Sequence, residues 1–358
     1  VERKRYLAIG PLPPPIGGDT VSFSRLLQSQ LLNEQVELDV LDTSRKDRES
    51  QIGRRLQLKD LMNGFRFFKQ AFSYRKKVDG VLIWSNSRFS YTIGLILIAL
   101  FKLYRKKVIL KLFGTSLPAL FKRLPYIYQR FAAIFFKKVD YVLPQTTSVV
   151  NFFKEEVGLR AEQVVPFPNF LVQEPMELKP LSVERMKKLK AIFVGQVKEP
   201  KGVFDILAAL EGNEQLSCDF YGTIFEKDRA AFMEQVEKLE NATYKGEISS
   251  EQVVQTIREY DILLLPSFYP GEGYPGVVIE AFFAGVPVLA TYWNDLSDIV
   301  INHYNGVLVP IQSPEKIRSK LAKFVEQPTR LRLLEEGATE AAHKYTEKEI
   351  LGKLLALL

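Results

Sequence analysis

The chain has 358 residues, 46% hydrophobic and 25% charged, which is a globular composition with ample core and a length suited to two domains. A single cysteine, Cys218, excludes a disulfide framework and points to a reducing compartment. The net charge of +7 favours anionic partners such as nucleotide phosphates, acidic lipids or nucleic acid. The opening VERKRYLAIGPLPPP holds an apolar run too short for a secretory signal. The longest apolar run, 93–101, is far short of the roughly 20 residues that a membrane span needs.

Along the chain, short β-branched runs alternate with segments of helix length. YLAIG (6–10), VELDVL (36–41), GVLIWS (80–85), KVILKLF (107–113) and YVLP (141–144) read as strands of a first half. AIFVG (191–195), CDFYG (218–222), ATYKG (242–246), DILLLP (261–266) and PVLAT (287–291) repeat the theme in a second half. The alternation predicts α/β architecture with parallel sheets covered by helices on both faces. Between the halves, FLVQEPMELKPLSVERMKKLK (170–190) carries two prolines and no clear period, and reads in part as a linker. The final YTEKEILGKLLALL opens with Thr346-x-x-Glu349, a capping-box pattern that predicts a helix.

The loops at the carboxyl ends of such strands are where doubly wound folds bind ligands. PGEGYPGVVIEAF (270–282) is the most informative of them. A buried strand runs into a Gly- and Pro-rich loop holding Glu272, and a helix follows that holds Glu280 one turn in. The helix start offers free backbone N–H groups and a positive dipole end, which suits a phosphate. Carboxylates beside a diphosphate are electrostatically awkward, so they need another use, and sugar hydroxyls are natural donors to them. On these residues alone, a glutamate in a surface turn and a helix glutamate satisfied locally explain the pattern equally well.

LLLPSFYPGEGYPGVVIEAFFAGVPVLAT resembles the signature of retaining glycosyltransferases of the GT-B fold, in the large GT4 group. It has a strand ending in Pro-Ser, then Glu-x7-Glu, then Ala-x-x-x-Gly-x-Pro-Val. AIFVGQVKEPKGVFDILAAL, CDFYGTI, YKGEISSEQVVQTIREYDILLLPS and INHYNGVLVP resemble further segments of that family's donor domain, in the right order. GPLPPPIGGDTVSFSRLL resembles the glycine-rich first loop of its acceptor domain. The resemblance is strong from about Ala191 onward and weaker before it.

What the resemblance implies is a GT-B fold: two Rossmann-like domains facing each other across a cleft. Residues 1–170 would bind the acceptor, 171–340 the nucleotide-sugar donor, and a helix within 341–358 would pack back toward the first domain. Glu272 would contact hydroxyls of the donor sugar, and Glu280 the ribose hydroxyls of the nucleotide. Amides of Gly276 and Val277 would hold the diphosphate, and Lys201 would pair with it and stabilise the leaving group, where negative charge develops. Gly17 and Gly18 would let a loop approach a phosphate or sugar closely, with Asp19 near the acceptor. Gly246, followed by Glu247, falls where the family's base-contacting loop leaves a strand. The donor would be UDP- or GDP-linked. The acceptor would be a glycan or lipid-linked acceptor in bacterial surface polysaccharide synthesis, at the cytoplasmic face of the membrane.

Three positions depart from the family pattern. Gln196 stands where an Arg or Lys is usual, so one cation is lost unless Lys198 replaces it. Phe113 stands where the acceptor domain usually has His. Pro275 lacks an N–H to offer. His303 and His343 both lie in the second half, so no imidazole serves the first. The family's front-face route survives this, because the leaving phosphate oxygen itself helps deprotonate the acceptor. No Asp-x-Asp motif and no metal-ligand spacing occur, so no obligatory metal or other cofactor is expected. A nucleotide-sugar epimerase and a glycosyltransferase-like scaffold are the alternatives. The first would turn over donor without acceptor, and the second would bind nucleotide without turnover.

Basic residues crowd the first half: Arg105, Lys106, Lys107, Lys111, Lys122, Arg123, Arg130, Lys137 and Lys138. Plotted as one helix, 119–138 puts Lys122, Arg123, Arg130 and Lys137 on one side. Phe121, Leu124, Tyr128, Phe131 and Phe135 fall on the other, and Pro125 is a candidate break. Such a helix suits an anionic membrane surface. A core helix with a solvated basic side fits the pattern as well. No nucleic-acid motif accompanies the charge.

Overall fold

A computed structural model describes residues 3–14, 17–44, 58–180 and 188–358, side chains of 58–63 excepted. The chain divides into two units, Val1–Pro168 with Ile350–Leu358, and Asn169–Glu349.

The first unit is built on five strands: β1 (Lys4–Gly10), β2 (Val36–Asp42), β3 (Gly80–Asn86), β4 (Lys107–Phe113) and β5 (Tyr141–Leu143). Their order is β2-β1-β3-β4-β5 and every pair is parallel. β3 and β4 are buried along almost their whole length, as expected of central strands covered on both faces. β2, at an edge, shows a mixed pattern of exposed and buried positions. The helix Glu347–Leu355 buries Ile350, Leu351 and Leu354. Its C-terminal carbonyls are held by first-unit side chains: Tyr6 Oη donates to Leu358 O at 2.8 Å and Lys107 Nζ to Leu357 O at 2.7 Å. Thr346 Oγ1 accepts from Glu349 N at 3.4 Å, the first half of the capping box.

The candidate break at Pro125 within 119–138 is present. The segment forms two helices, Ser116–Arg123 and Tyr126–Phe136, interrupted at Leu124 and Pro125. Proline has no N–H for the helical ladder, and it disfavours the α conformation of the residue before it. Leu124 is accordingly extended, with φ −75° and ψ 150°. Phe121 therefore leaves the aromatic flank and enters the core, against Tyr91 and Phe152. The apolar run at 93–101 lies in a π turn, Ser90–Gly94, and the helix Leu95–Leu103.

The second unit carries β6 (Leu189–Val194), β7 (Leu216–Tyr221), β8 (Ala242–Gly246), β9 (Ile262–Leu265), β10 (Val288–Thr291) and β11 (Gly306–Val309). The order is β11-β10-β9-β6-β7-β8, again all parallel. The chain runs outward from β6 to one side and then crosses to β9 on the other. The β6/β9 junction is thus the topological switch point, where the loops leaving two neighbouring strands diverge and open a crevice. Both ends of the stretch read in part as linker are tied into the second unit: Leu171 pairs with Tyr345 and Glu347 through backbone bonds, and β6 begins at Leu189. Residues 181–187 of that stretch lie outside the described residues.

Candidate active site

Both loops at the β6/β9 junction are shaped by their local sequence. After β6 the chain makes a 3-10 turn, Glu199–Lys201, and stops it at Gly202 with φ +75°. A Cβ at Gly202 would sit 2.2 Å from Pro266 O, so only glycine lets the turn press against the end of β9. A bond fastens the contact: Phe268 N donates to Pro200 O at 2.8 Å. The second loop is held from the far side. Trp293 Nε1 donates to Tyr269 O at 2.8 Å, and Asn294 Nδ2 to Pro270 O at 3.2 Å and Glu272 O at 3.3 Å.

This clamping brings Lys201 and Glu272 together across 71 residues of sequence. Lys201 Nζ donates to both carboxylate oxygens of Glu272, at 2.9 and 2.6 Å. Ser267 Oγ donates to Glu272 Oε2 at 2.5 Å. Glu272 is buried, 5% exposed, and these donors take the place of water around its carboxylate. Lys198 Nζ stands 3.7 Å over the ring of Tyr269, and Lys201 Nζ lies 5.5 Å from the same ring centre. Burial pushes the Lys198 pKa below the usual lysine value; Lys201 pushes the same way, and Glu272 and Asp228 push back. Two cations thus share one aromatic ring and one carboxylate.

The helix Gly276–Phe283 follows, with Pro275 at its N-cap in an extended conformation. Gly276 and Val277 open its first turn, ahead of the first intrahelical acceptor, so their amides are available to an anion. Glu280 is half-buried on the fifth residue of this helix. The helix ends with Gly285 at φ +66° and a bond from Val286 N to Ala281 O at 2.9 Å, a glycine stop of the Schellman type.

The remaining expected residues are placed as follows. Gln196 is exposed in the loop after β6. Gly246 ends β8 with φ +84°, and its carbonyl accepts from Gly222 N at 2.8 Å; β8 is two strands from β6, at the sheet edge. Glu247 is exposed beside it. In the first unit, Gly17 caps the helix Gly18–Gln28, and its amide donates to Thr20 Oγ1 at 2.9 Å. A Cβ at Gly18 would meet nothing within 4 Å, so packing inside the unit does not require glycine there. Asp19 Oδ1 accepts from Thr20 N at 3.0 Å. Phe113 ends β4, its ring 5.5 Å from that of Trp84.

Sequence reading missed three participants. Ser267 was visible as the serine of the Pro-Ser strand end, but nothing marked it as a donor to Glu272. Tyr269 and Asn294 act through contacts between loops, which no local pattern records.

Residues 177–342 match the family model described as Glycosyl transferases group 1. MJ1069 of Methanocaldococcus jannaschii, an uncharacterized glycosyltransferase, is 25% identical over 288 residues, spanning 76% of this chain and 72% of that protein. TuaC of Bacillus subtilis, a glycosyltransferase whose name assigns it to teichuronic acid biosynthesis, is 30% identical over 139 residues, 37% of this chain and 32% of TuaC. Among solved structures, Anabaena Alr3699/HepE in complex with UDP and glucose is similar with a TM-score of 0.71 at 13% identity, over 99% of this chain and 100% of that one. At that identity the likeness speaks for the fold, which is GT-B.

Proposed function

We propose that the chain, whose residues 177–342 match the glycosyl transferases group 1 model, is a retaining, metal-independent enzyme of that family that moves a sugar from a UDP- or GDP-linked donor to a glycan or lipid-linked acceptor. Surface polysaccharide assembly is the setting that relatives such as TuaC suggest. The observation that carries the reading is the cluster at the β6/β9 junction. Lys198, Lys201 and the first-turn amides of Gly276 and Val277 supply positive charge next to a carboxylate, Glu272.

In this reading the diphosphate lies against the helix start and the two lysines. Glu272 then accepts from hydroxyls of the sugar, and Glu280 from those of the ribose. As the bond between the anomeric carbon and the phosphate oxygen breaks, the electron pair leaves with the nucleoside diphosphate. Fixed cations stabilise that charge without reorganising at the moment of reaction. The acceptor oxygen bonds to the anomeric carbon from the same face, and its proton passes to the departing phosphate oxygen. No separate base is needed, which agrees with phenylalanine at position 113.

The test is a thermal-shift panel of UDP, GDP, ADP, CDP and TDP with their common sugars, on the native chain and Glu280→Ala. Selective stabilisation by one nucleotide, lost in the variant, supports the donor site and names the base. Stabilisation by none of them overturns it. Conversion of donor to an isomeric nucleotide sugar without acceptor would instead identify an epimerase.

A further inference from the structure

Residues 80–139 contain eleven Lys and Arg and not one Asp or Glu. The whole chain carries only +7, so the rest of it is net negative and the excess positive charge belongs to this stretch. Two of its helices, Leu95–Leu103 and Tyr126–Phe136, pack side by side. Each sends one stripe into the core: Leu95, Ile98 and Phe101 from the first, Ala132 and Phe136 from the second.

Their outer stripes are apolar too. Ile96 is 53% exposed and Leu103 78%; Tyr126 is 67%, Ile127 83%, Phe131 47% and Ile134 56% exposed. Single exposed apolar residues are ordinary, but six on two adjacent helices form a patch that calls for a partner. A shallow cavity of about 390 Å³, lined by Ala99, Lys102, Leu103 and Lys138, joins the exposed stripe of the first helix to the end of the second. Among the described residues, Lys102 and Lys122 are paired with Asp140 and Glu156. No carboxylate of the described residues lies within ion-pair distance of Arg123, Arg130, Lys137 or Lys138. Arg130 and Lys138 lie over the rings of Tyr126 and Phe135, at 5.8 and 5.2 Å.

We propose that this two-helix face is a docking surface for an anionic lipid membrane. The charge decides the occupant. A second copy of the chain would bring the same uncompensated cations to the interface, whereas acidic headgroups neutralise them. The apolar stripes enter the headgroup and acyl boundary while Arg and Lys reach the phosphates, the arrangement of an in-plane amphipathic surface. No described helix is long and apolar enough to cross the bilayer. As the place where a lipid-linked acceptor is met, this face rests on the transfer reading above; as a lipid-binding surface it stands on the first unit alone.

The experiment is co-sedimentation of the full chain with phosphatidylcholine vesicles, with or without roughly one third phosphatidylglycerol. Binding to the anionic vesicles only, weakened by salt, is expected. Ile127→Asp with Phe131→Asp, and separately Arg130→Glu with Lys138→Glu, should each lower the partition coefficient at least about tenfold, since one basic side chain contributes about fivefold. Leu333→Asp, at an exposed position of the second unit, should leave it unchanged. Unchanged melting temperatures certify that the variants fold. No binding to anionic vesicles, or binding that both double variants retain, overturns the proposal. So does a dimer in solution that Ile127→Asp dissolves while vesicles are ignored. The nucleotide panel reads the transfer reading separately: vesicle binding without nucleotide binding removes that reading and keeps the face, and the reverse result does the opposite.

Discussion

Lys201 and Glu272 neutralise each other at 2.6 Å, each being a residue that the family resemblance assigns to a different part of the donor. The ion pair is nearly buried, with side-chain exposures of 17% and 6%. In the proposed function, donor binding exchanges one partner for another: the phosphate takes the lysine, and sugar hydroxyls take the carboxylate. Ser267 Oγ, bonded to Glu272 Oε2 at 2.5 Å, is a second donor that holds the carboxylate in place.

Lys201→Met should be costly in two separate ways. It strands the Glu272 carboxylate with only Ser267, which should lower stability by about 3 kcal/mol in urea unfolding. It also removes a cation from the departing diphosphate, which should lower kcat by about 10²–10³-fold. Adding Glu272→Gln to this variant should recover much of the stability and none of the activity. A double variant as unstable as the single would show that the ion pair is not what Lys201 supplies to the fold.

Lys198 should take over the cation that Gln196 does not provide. Lys198→Ala is expected to weaken binding of the preferred nucleoside diphosphate by about tenfold, a loss of about 1.4 kcal/mol in a charge-assisted contact. Gln196→Ala, which removes only a neutral amide, should weaken it by no more than about threefold. Isothermal titration on both variants checks this, and equal losses would return the role to position 196.

Gly202→Ala should disturb the site without touching a charged group. The added methyl meets Pro266 O at 2.2 Å, and φ +75° is strained for any residue with a Cβ. A cost of about 3 kcal/mol is expected, together with lost nucleotide binding, because the 3-10 turn that carries Lys201 must lift off β9. Gly18→Ala has open space and should leave stability within about 0.5 kcal/mol.

Lys111 gives a pH signature. It is fully buried in β4, its Nζ donates to Phe167 O, and the rings of Phe113, Phe167 and Trp84 lie at 5.1, 5.2 and 5.8 Å. Burial holds its pKa well below the ordinary lysine value of 10.5. In the window between the lowered folded value and the ordinary one, the unfolded chain binds this proton and the folded chain does not. Stability from this group therefore rises with pH across that window, and at lower pH the penalty is constant. Lys111→Met should remove this rise, seen as a flatter difference in melting temperature between pH 7 and pH 10.

All ten strands read from the sequence are present, with ends displaced by up to two residues. Their apolar runs and Gly or Pro boundaries are local, so they survive in a one-dimensional reading. Lys111 was not legible for the opposite reason. In KVILKLF an alternating strand would turn it toward solvent, but in a parallel sheet covered on both faces no strand face is outside. Glu272 and Lys201 stood out in their own loops, yet their mutual contact depends on Gly202 meeting Pro266, a relation between distant segments. The helix break at Pro125 was written in the sequence. What the sequence could not weigh was which of the flanking aromatics the core would claim.

The second unit is one continuous run of chain, whereas the first is closed by residues 350–358. During synthesis, then, the second unit has every one of its strands available while the first still waits for the helix that covers part of its core and is tied to Tyr6 and Lys107. The order of completion on the ribosome is therefore the reverse of the order of translation. The half that begins first is completed only once residues 350–358 have been made.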